Sequence, residues 1–329
     1  MRYIRQEILR EIGKKGQAKL QKSAVAIVGL GALGSNSAEL LARAGVGKLL
    51  LIDRDIVELS NLQRQSLFDE NDIGKAKAAQ AKKHLSGINS NIKIDFFIDD
   101  LNSENIGKIF NGKSQIDLIL DCTDNMETRF LLNDFCVKNQ IQFIYSSAVG
   151  SKGYVFNIIP QTTPCLKCFL KEAAQLDSCE TIGILNTVTN LISSLQINEA
   201  LKILLKTGDF EKKLLFFDIW KNELLKIKVN KDKNCICCAN AAFEYLDGKK
   251  AAKIVKLCGE NVYQIKAKST DKNQFKNLKN KLEKIGKVLD FSYCINFDNK
   301  ITLFNDGRAL IKAKGEKEAK SLYSRLIGN

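Results

Sequence analysis

Short apolar runs alternate with amphipathic stretches through the first half of the chain. The runs are nearly unbroken, as expected of strands buried on both faces of a parallel sheet. The stretches between them carry apolar residues at helical spacing, which predicts helices between the strands. The predicted strands of this part lie at residues 24–28, 48–52, 92–98, 116–122 and 142–149.

This alternation predicts an α/β, Rossmann-like fold with a mostly parallel sheet and helices on both of its faces. After Gly150 the pattern changes to strands grouped around one long apolar helix. The helix is predicted at residues 187–205, and the strands at 154–159, 214–218 and 224–229. The last two strands are close in sequence and are expected to pair antiparallel. An antiparallel part should therefore accompany the parallel sheet.

A second, smaller domain is predicted at the C-terminus. The stretch at 247–256 marks the boundary, so residues 1–248 are assigned to a large domain and residues 249–329 to a small α+β domain. Asn305-Asp306-Gly307 is a hairpin signal inside the small domain. At the other end of the chain, residues 1–21 are predicted to form one amphipathic helix.

Charge is spread unevenly along the 329 residues. The formal net charge is +14, and residues 249–329 contribute +11 of it, from 19 Lys and Arg against 8 Asp and Glu. A basic surface suggests an acidic partner, although solvated lysines explain it equally well, and nucleic acid is not expected. The N-terminus has no signal-peptide pattern and no apolar stretch is long enough to span a membrane. These features predict a cytoplasmic protein.

A glycine-rich turn follows the first predicted strand and begins the next helix. Gly29, Gly31 and Gly34 form a GxGxxG pattern, which lets the backbone approach a phosphate at a helix N-terminus. Asp53 ends the next strand, where a ribose hydroxyl needs an acceptor. The pattern fits nicotinamide, flavin and ATP enzymes, or a merely tight turn.

The charged residues that follow favour a nucleoside triphosphate. Arg64 and Lys77 could neutralise the charge that develops on a transferred phosphate and its leaving pyrophosphate, but each could also be a solvated surface charge. Asp124 follows a strand at the ligand-binding edge of the sheet and is a natural magnesium ligand. It could equally be the N-cap of the next helix. Arg129 is predicted to be a helix-surface charge.

The ten cysteines and the single histidine, His84, point away from histidine chemistry and toward thiols or metal. Two CxxC pairs predict a tetrahedral zinc site of four thiolates that is structural, because it leaves no position open. Its predicted ligands are Cys165, Cys168, Cys235 and Cys238. Cys237 makes the last ligand ambiguous, and redox-active cysteines are the alternative. His84 is assigned no role.

Several motifs in order resemble the ThiF/MoeB family, the bacterial and archaeal relatives of ubiquitin-activating enzymes. They are RYIRQEIL, GLGALG, LIDRDIVELSNLQRQ, the lysine of GKAK, and LDCTDN. The resemblance covers residues 1–248. The C-terminal segment, with LCGENVYQI and TLFNDGRALI, looks like the tail of ThiF-type members.

The resemblance implies ATP- and Mg²⁺-dependent adenylation of the C-terminal Gly-Gly carboxylate of a ubiquitin-like sulfur-carrier protein. It favours a ThiS-like carrier of thiamin biosynthesis over a MoaD-like carrier of molybdopterin biosynthesis or tRNA thiolation. A separate sulfur donor, such as a cysteine desulfurase, would then act on the acyl-adenylate. The rival classes are a nicotinamide-dependent oxidoreductase, a non-catalytic scaffold, and an enzyme that adenylates a tRNA-borne or small-molecule carboxylate.

The resemblance also implies roles for particular residues. Asp53 would hold the ribose, Asp124 would bind magnesium, and Asn61, Arg64 and Lys77 would contact the phosphates. The full set expected at the nucleotide is Gly29, Gly31, Gly34, Asp53, Asp55, Asn61, Arg64, Gln65, Lys77, Asp124 and Asn125.

Two further residues take roles only through the resemblance. Arg5 would reach the phosphates of the neighbouring subunit, which requires a homodimer. Cys179 lies in a segment that is a mobile crossover loop in the family, and some members use a cysteine there for a thioester or acyl-disulfide with the carrier. Other members manage without one, so Cys179 is either a nucleophile or a bystander.

Overall fold

Contacts between residues divide the chain into two units. The first comprises Met1–Asp72 with Lys77–Ala251, and the second comprises Ile73–Ala76 with Ala252–Asn329. The structure is a computed structural model. It describes residues 2–111, 115–170, 182–250, 255–256, 262–266, 272–305 and 307–327.

The larger unit alternates helices and strands up to β5 and then gathers its remaining strands. Its described helices are α1 (Ile4–Glu7), α2 (Gly13–Leu20), α3 (Ala32–Ala44), α4 (Lys77–Ile88), α5 (Ile106–Asn111), α6 (Met126–Asn139) and α7 (Asn186–Leu205). Its strands are β1 (Ala24–Val28), β2 (Lys48–Ile52), β3 (Lys93–Phe97), β4 (Leu118–Asp121), β5 (Gln142–Val149), β6 (Lys152–Ile158), β7 (Leu214–Asp218) and β8 (Glu223–Ile227). Short 3-10 helices lie at Leu59–Asn61, Glu70–Asp72 and Leu166–Cys168.

One sheet joins these eight strands in the order β3-β2-β1-β4-β5-β6-β7-β8. The pairs from β3 to β5 are parallel, and those from β5 to β8 are antiparallel. This arrangement confirms the predicted α/β fold and its antiparallel part. Because β1 lies between β2 and β4, the carboxyl ends of these three strands meet at one edge, where ligands bind in open α/β sheets.

Strand β1 explains why the apolar runs are unbroken. Val25 and Ile27 belong to one hydrophobic core, whereas Ala24, Ala26 and Val28 belong to another on the opposite face of the sheet. Successive side chains of a strand point to opposite faces of the sheet. When both faces are covered, every side chain of the strand is buried, so apolar residues occupy consecutive positions. Both faces of the sheet are therefore packed at β1, as predicted.

The N-terminal segment differs from the single predicted helix. Helix α1 ends at Glu7 and α2 begins at Gly13, whose φ of +61° lies in the left-handed region. A residue in that conformation cannot continue a right-handed helix, and glycine adopts it without steric cost. The break leaves α1 as a single turn with its own contacts.

Helix α7 packs against α3 and against strands β5 and β6. Its buried residues include Val188, Ile192 and Ile197. Among the helices that the structure describes, none combines the length and the hydropathy needed to cross a membrane.

The smaller unit contains a second, antiparallel sheet in the order β11-β12-β13-β14-β10-β9. Its described elements are β9 (Val255–Lys256), β10 (Val262–Lys266), α8 (Lys272–Glu283), β11 (Val288–Asp290), β12 (Cys294–Phe297), β13 (Ile301–Phe304), β14 (Arg308–Lys312) and α9 (Glu316–Leu326). Leu282 of α8 and Tyr323 of α9 share a hydrophobic core with Ile295, Leu303 and Ile311 of the strands. The sequence predicts strands of this unit at residues 262–267, 291–296 and 301–304, so β9, β11 and β14 are absent from the prediction.

Candidate nucleotide site and cysteine cluster

Two of the three glycines are required by the path of the chain. A Cβ at Gly29, where φ is +86°, would lie 2.7 Å from the carbonyl oxygen of Cys122. A Cβ at Gly34 would lie 1.8 Å from the carbonyl oxygen of Gly29. Gly31 is different, because its nearest neighbour would be Gln65 Nε2 at 3.9 Å. Gly31 therefore leaves open space at the N-terminus of α3, where a phosphate would be stabilised.

Asp53 locks this turn from the end of β2. Its Oδ2 accepts a hydrogen bond from the Leu30 amide at 2.6 Å, and its Oδ1 accepts one from the Asp55 amide at 2.6 Å. The side chain is buried, and burial raises its pKa, although the ammonium group of Lys77 opposes the rise. The predicted ribose acceptor thus also holds the glycine turn in place.

Lys77 is the first residue of α4 and is buried among carboxylates. Its Nζ lies 3.6 Å from Asp55 Oδ2, and its amide donates to the Asp55 carbonyl at 3.0 Å. Burial alone would lower the pKa of Lys77, but Asp55, Asp53 and Asp124 together raise it. The lysine is therefore a fixed cation at the sheet edge and not a solvated surface charge.

Arg54 is a cation of the same edge that the motif analysis did not assign. Its Nη1 donates to Asp100 Oδ1 at 2.8 Å, and its Nε lies 3.9 Å from Asp55 Oδ1. Burial would lower the pKa of Arg54, whereas Asp100, Asp55 and Asp124 raise it. The charge of Asp124 is thus felt by both buried cations.

The segment after Asp55 supplies Asn61, Arg64 and Gln65. Asn61 is buried, and its Oδ1 accepts from the Glu58 amide at 3.2 Å. Arg64 Nη1 donates to the Ser60 carbonyl at 2.8 Å. Gln65 is only 3% exposed, and its Oε1 has no hydrogen-bond partner. An unsatisfied buried oxygen costs about 1–3 kcal/mol, so Gln65 Oε1 could accept a hydrogen bond from a ligand, whereas the Gln65 atom nearest to the open position at Gly31 is Nε2.

The sequence allows Asp124 to be either the N-cap of the next helix or a ligand of magnesium, and the structure distinguishes these two roles. Asn125 is the N-cap of α6, and its Oδ1 accepts from the Thr128 amide at 2.8 Å. Asp124 is exposed beside it. The N-cap alternative for Asp124 is therefore wrong, and its carboxylate is available to a ligand.

Arg129 is a buried residue of the site edge, so the prediction of a surface charge is wrong. It is 6% exposed, and its Nε lies 3.5 Å from Oδ2 of the fully buried Asp121. Burial raises the pKa of Asp121 to about 6, while the Arg129 guanidinium opposes the rise. Every residue of α6 from Thr128 to Val137 is buried, polar ones included, so this helix has no surface face on which Arg129 could lie.

Four cysteines converge as predicted. Cys165, Cys168, Cys235 and Cys238 have their sulfurs within 4.8 Å of one another. The closest separations are 3.5 Å for Cys168–Cys238, 3.6 Å for Cys165–Cys235 and 3.9 Å for Cys165–Cys168. Four sulfurs at the corners of a zinc tetrahedron lie about 3.8 Å apart. The donor set and its spacing therefore fit zinc.

Cys237 stands outside this group. Its sulfur accepts a hydrogen bond from Asn133 Nδ2 at 3.3 Å, and Asn133 Oδ1 accepts from the Leu166 amide at 2.7 Å. Asn133 of α6 thus links the loops of both CxxC pairs. The ambiguity between Cys237 and Cys238 is resolved in favour of Cys238 as a member of the cluster.

One other group of potential metal ligands occurs among the described residues: Asp69, Asp72 and His84. His84 Nε2 lies 2.6 Å from Asp72 Oδ2, which ties α4 to the 3-10 helix before it. Asp124 belongs to neither group. A magnesium ion at Asp124 would therefore draw its other ligands from substrate phosphates and water, as is common for this ion.

The N-terminal segment is anchored at the far end of the helices that begin at the nucleotide edge. Gln6 Nε2 donates to the carbonyl of Ala44, the last residue of α3, at 2.9 Å. Arg2 Nη1 donates to the carbonyl of Ile88, the last residue of α4, at 2.7 Å. Arg5 is exposed between them. Because α3 has 13 residues and spans about 20 Å, Arg5 does not reach the glycine turn of its own chain. Cys179 lies outside the described residues.

The fold and the edge residues define a Rossmann-type nucleotide-binding protein with a cluster of four cysteines. The model of the ThiF family matches residues 3–238. The "Sulfur carrier protein ThiS adenylyltransferase" of Bacillus subtilis (strain 168) is 40% identical, over 99% of each chain. The chain therefore belongs to the ThiF family, which confirms the predicted resemblance.

Other relatives match a smaller share of the chain. The "SAMP-activating enzyme E1" of Haloferax volcanii is 31% identical over 75% of this chain and 91% of its own length. The "Adenylyltransferase and sulfurtransferase MOCS3" of Culex quinquefasciatus is 36% identical over 73% of this chain and 55% of its own length. The crystal structure of E. coli MccB with ATP superposes with a TM-score of 0.63 at 23% identity, covering 73% of this chain and 75% of that one. At that identity it supports the fold alone.

Proposed function

We propose that this protein uses ATP and Mg²⁺ to adenylate the C-terminal Gly-Gly carboxylate of a ThiS-like sulfur-carrier protein. The full-length match to a ThiS adenylyltransferase supports this choice, because it extends through the C-terminal unit. The MOCS3 and SAMP-activating relatives match only about three quarters of the chain. A MoaD-like carrier is therefore the second candidate.

One arrangement carries the proposal. The open position at Gly31, the acceptor Asp53, the buried cation Lys77 and the exposed carboxylate Asp124 gather at the carboxyl ends of neighbouring strands. A triphosphate needs these groups together: space at a helix N-terminus, a ribose acceptor, a fixed positive charge and a place for its metal. A nicotinamide cofactor has no need for the buried lysine or for Asp124.

The chemistry then depends on positioning and charge. A carboxylate oxygen of the carrier attacks the α-phosphorus, and the bond from that phosphorus to the bridging oxygen breaks as pyrophosphate leaves. The carrier carboxylate is already ionised at neutral pH, so no general base is required. Lys77 and Arg64 would stabilise the negative charge that moves onto the leaving group. Magnesium, held by Asp124, would supply further charge neutralisation.

The four cysteines are assigned to a structural zinc ion. Cys165, Cys168 and Cys235 are buried and Cys238 is partly buried, so thiolates would occupy all four positions of the tetrahedron. The cluster holds the loop after β6 against the segment after β8. Its role is to fix the antiparallel part of the sheet, and it takes no part in the adenylation.

The proposal includes a homodimer. Arg5 is anchored about 20 Å from the glycine turn of its own chain, as judged from the length of α3. For Arg5 to act on the phosphates it must therefore come from a second copy, and two-fold symmetry would supply one Arg5 to each site. The remaining partners are the carrier and a separate sulfur donor, such as a cysteine desulfurase.

Carrier-dependent ATP–pyrophosphate exchange tests the reaction. We expect exchange with a ThiS-like carrier ending in Gly-Gly, less with a MoaD-like carrier, and none with a carrier that lacks the terminal glycines. Asp124→Asn should lower the exchange rate by about 10²–10³-fold, because the magnesium carboxylate is lost from an otherwise intact edge. The matched control is Asp209→Asn, which changes an exposed aspartate in the loop after α7.

Two results would contradict the proposal. Exchange that is equally fast with the truncated carrier would remove the Gly-Gly carboxylate as the substrate. Asp124→Asn at the parent rate would remove the magnesium assignment. Reduced-cofactor fluorescence of the purified protein would instead support the nicotinamide alternative.

A further inference from the structure

Two buried charged residues, Asp121 and Arg129, contact the loop that carries Asp124. Asp121, the last residue of β4, is fully buried, and its Oδ1 accepts hydrogen bonds from both the amide of Thr123 at 2.9 Å and the Thr123 hydroxyl at 2.7 Å. One carboxylate oxygen thus fixes the backbone and the side chain of the residue next to Asp124.

Arg129 completes the hold from the first turns of α6. Its Nη2 donates to the Thr123 carbonyl at 2.6 Å and to the Ser146 carbonyl at 3.5 Å. The guanidinium lies over the ring of Tyr145, 5.1 Å from its centroid. Thr123 is therefore restrained at its amide, its hydroxyl and its carbonyl, and the restraint is tied to β4, β5 and α6.

Packing alone does not require such a pair. Burying two charges costs so much desolvation that an ion pair is often no more stabilising than an apolar pair of the same size. The neighbours of Arg129 along α6, Phe130, Leu131 and Leu132, are buried and apolar. The chain nevertheless places a guanidinium here, beside the buried Asp121 carboxylate, and directs it at the Thr123 carbonyl.

We propose that Asp121 and Arg129 are positioning residues that fix the Thr123–Asp124 peptide and so aim the Asp124 carboxylate at the magnesium of the bound nucleotide. The inference rests on the proposed function, since it assigns a purpose to Asp124. Neither residue contacts substrate in this assignment. They act through the loop, in the way that groups hydrogen-bonded to the ligands of other metal sites orient those ligands.

The test compares the magnesium dependence of variants that keep the buried charges balanced. Arg129→Met together with Asp121→Asn removes both charges, so neither is left uncompensated. Arg129→Lys keeps the charge and loses the fork that reaches two carbonyls. The matched control is Glu199→Gln with Lys202→Met, which removes another ion pair with one buried partner, 2.6 Å apart on α7.

Two quantities are measured for each variant: the Mg²⁺ concentration for half-maximal exchange, and the calorimetric affinity for a non-hydrolysable ATP analogue at several Mg²⁺ concentrations without carrier. We expect the double variant to need about 10–100-fold more Mg²⁺. Its rate at saturating Mg²⁺ should approach that of the parent protein, and Arg129→Lys should fall between the two. The control pair should keep the parent Mg²⁺ dependence.

The outcomes separate the two proposals. A folded double variant with the parent Mg²⁺ dependence in both measurements would overturn the positioning role while leaving adenylation intact. A parent protein that neither exchanges pyrophosphate nor binds the analogue would overturn the proposed function itself. An equal rise in the control pair would show that the effect belongs to general loosening and would also overturn the positioning role.

Discussion

The candidate nucleotide site, at the carboxyl ends of the parallel strands, and the cysteine cluster differ in one respect. A single folded chain supplies all the ligands of the cluster but only part of the nucleotide site. Around the cysteines, four sulfurs already lie at distances that suit a tetrahedral ion, and Asn133 ties their loops together. At the nucleotide edge, Gln65 has an unsatisfied oxygen and Asp124 is exposed. Folding alone thus brings the four cysteine ligands together. The nucleotide site instead needs further groups, which the bound nucleotide, its metal ion and a second chain would supply.

This difference explains why the two sites use different residue types. A structural metal is best held by soft ligands that leave no position open. A site that binds and releases a charged substrate instead needs fixed charges that are not fully neutralised beforehand. Lys77 is such a fixed charge: burial opposes its ionisation, and the carboxylates of Asp55, Asp53 and Asp124 keep it charged at the edge of the sheet.

Removing one ligand of the cysteine cluster should have the largest effect on the stability of the protein. Cys238→Ser should abolish zinc retention and destabilise the protein by about 4 kcal/mol, or roughly 10 °C in Tm. The reason is that the loop after β6 and the segment after β8 lose their common ion. Metal analysis of the purified protein and thermal unfolding measure the two effects.

The adjacent residue provides the control for that experiment. Cys237→Ser should keep one zinc per chain, because Cys237 is bonded to Asn133 and lies outside the group of four. Zinc lost from the Cys237 variant and retained by the Cys238 variant would reverse the assignment. A parent protein that holds no metal and unfolds at the same temperature with and without zinc would remove the comparison altogether.

Mixing two inactive variants should show that a second chain contributes Arg5 to the nucleotide site. Arg5→Ala and Lys77→Ala proteins should each be nearly inactive in pyrophosphate exchange. After subunit exchange, about a quarter of the parent activity per site should return, because half of the dimers are mixed and one of their two sites keeps both groups.

The same mixture distinguishes a cis from a trans arginine. If Arg5 acted in its own chain, no mixed dimer would contain an intact site and no activity would return. Arg10→Ala changes a neighbouring exposed arginine of the N-terminal segment and should retain the parent rate.

A smaller, step-specific effect is expected for Cys179. Cys179→Ser should leave pyrophosphate exchange close to the parent rate, since adenylation needs no thiol. It should slow sulfur transfer to the carrier and remove any reductant-sensitive carrier adduct on gels, if the thiol forms a covalent intermediate. Sulfur transfer at the parent rate would make Cys179 a bystander. Loss of exchange as well would assign the residue to folding or to loop closure.

The parts of the molecule that repeat a local pattern could be predicted from the sequence. Unbroken apolar runs such as Ala24–Val28 follow from burial on both faces, and the glycine turn follows from its spacing and from Asp53. The two CxxC pairs identified the cysteine cluster because each pair is a local ligand unit. In these cases the physical cause lies within a few consecutive residues.

The parts that depend on distant contacts could not be predicted. The sequence predicts a surface position for Arg129, because it does not show that the turn between β4 and α6 brings this side chain onto Asp121, Thr123 and Tyr145. The choice between Asp124 and Asn125 as N-cap depends on backbone geometry that the sequence does not specify. The break between α1 and α2 escapes prediction because the helical spacing of the apolar residues continues through it, at Ile4, Ile8 and Ile12.

Gly34 is an example of a residue that the fold requires independently of nucleotide binding. Since its Cβ would overlap the Gly29 carbonyl, any larger residue is selected against by the path of the chain, whether or not nucleotide is bound. A descendant that had lost ATP binding would still keep this glycine, so the glycine pattern survives as an inheritance of the fold. Loss of activity would appear first at Asp124, whose carboxylate is exposed and not packed into the fold.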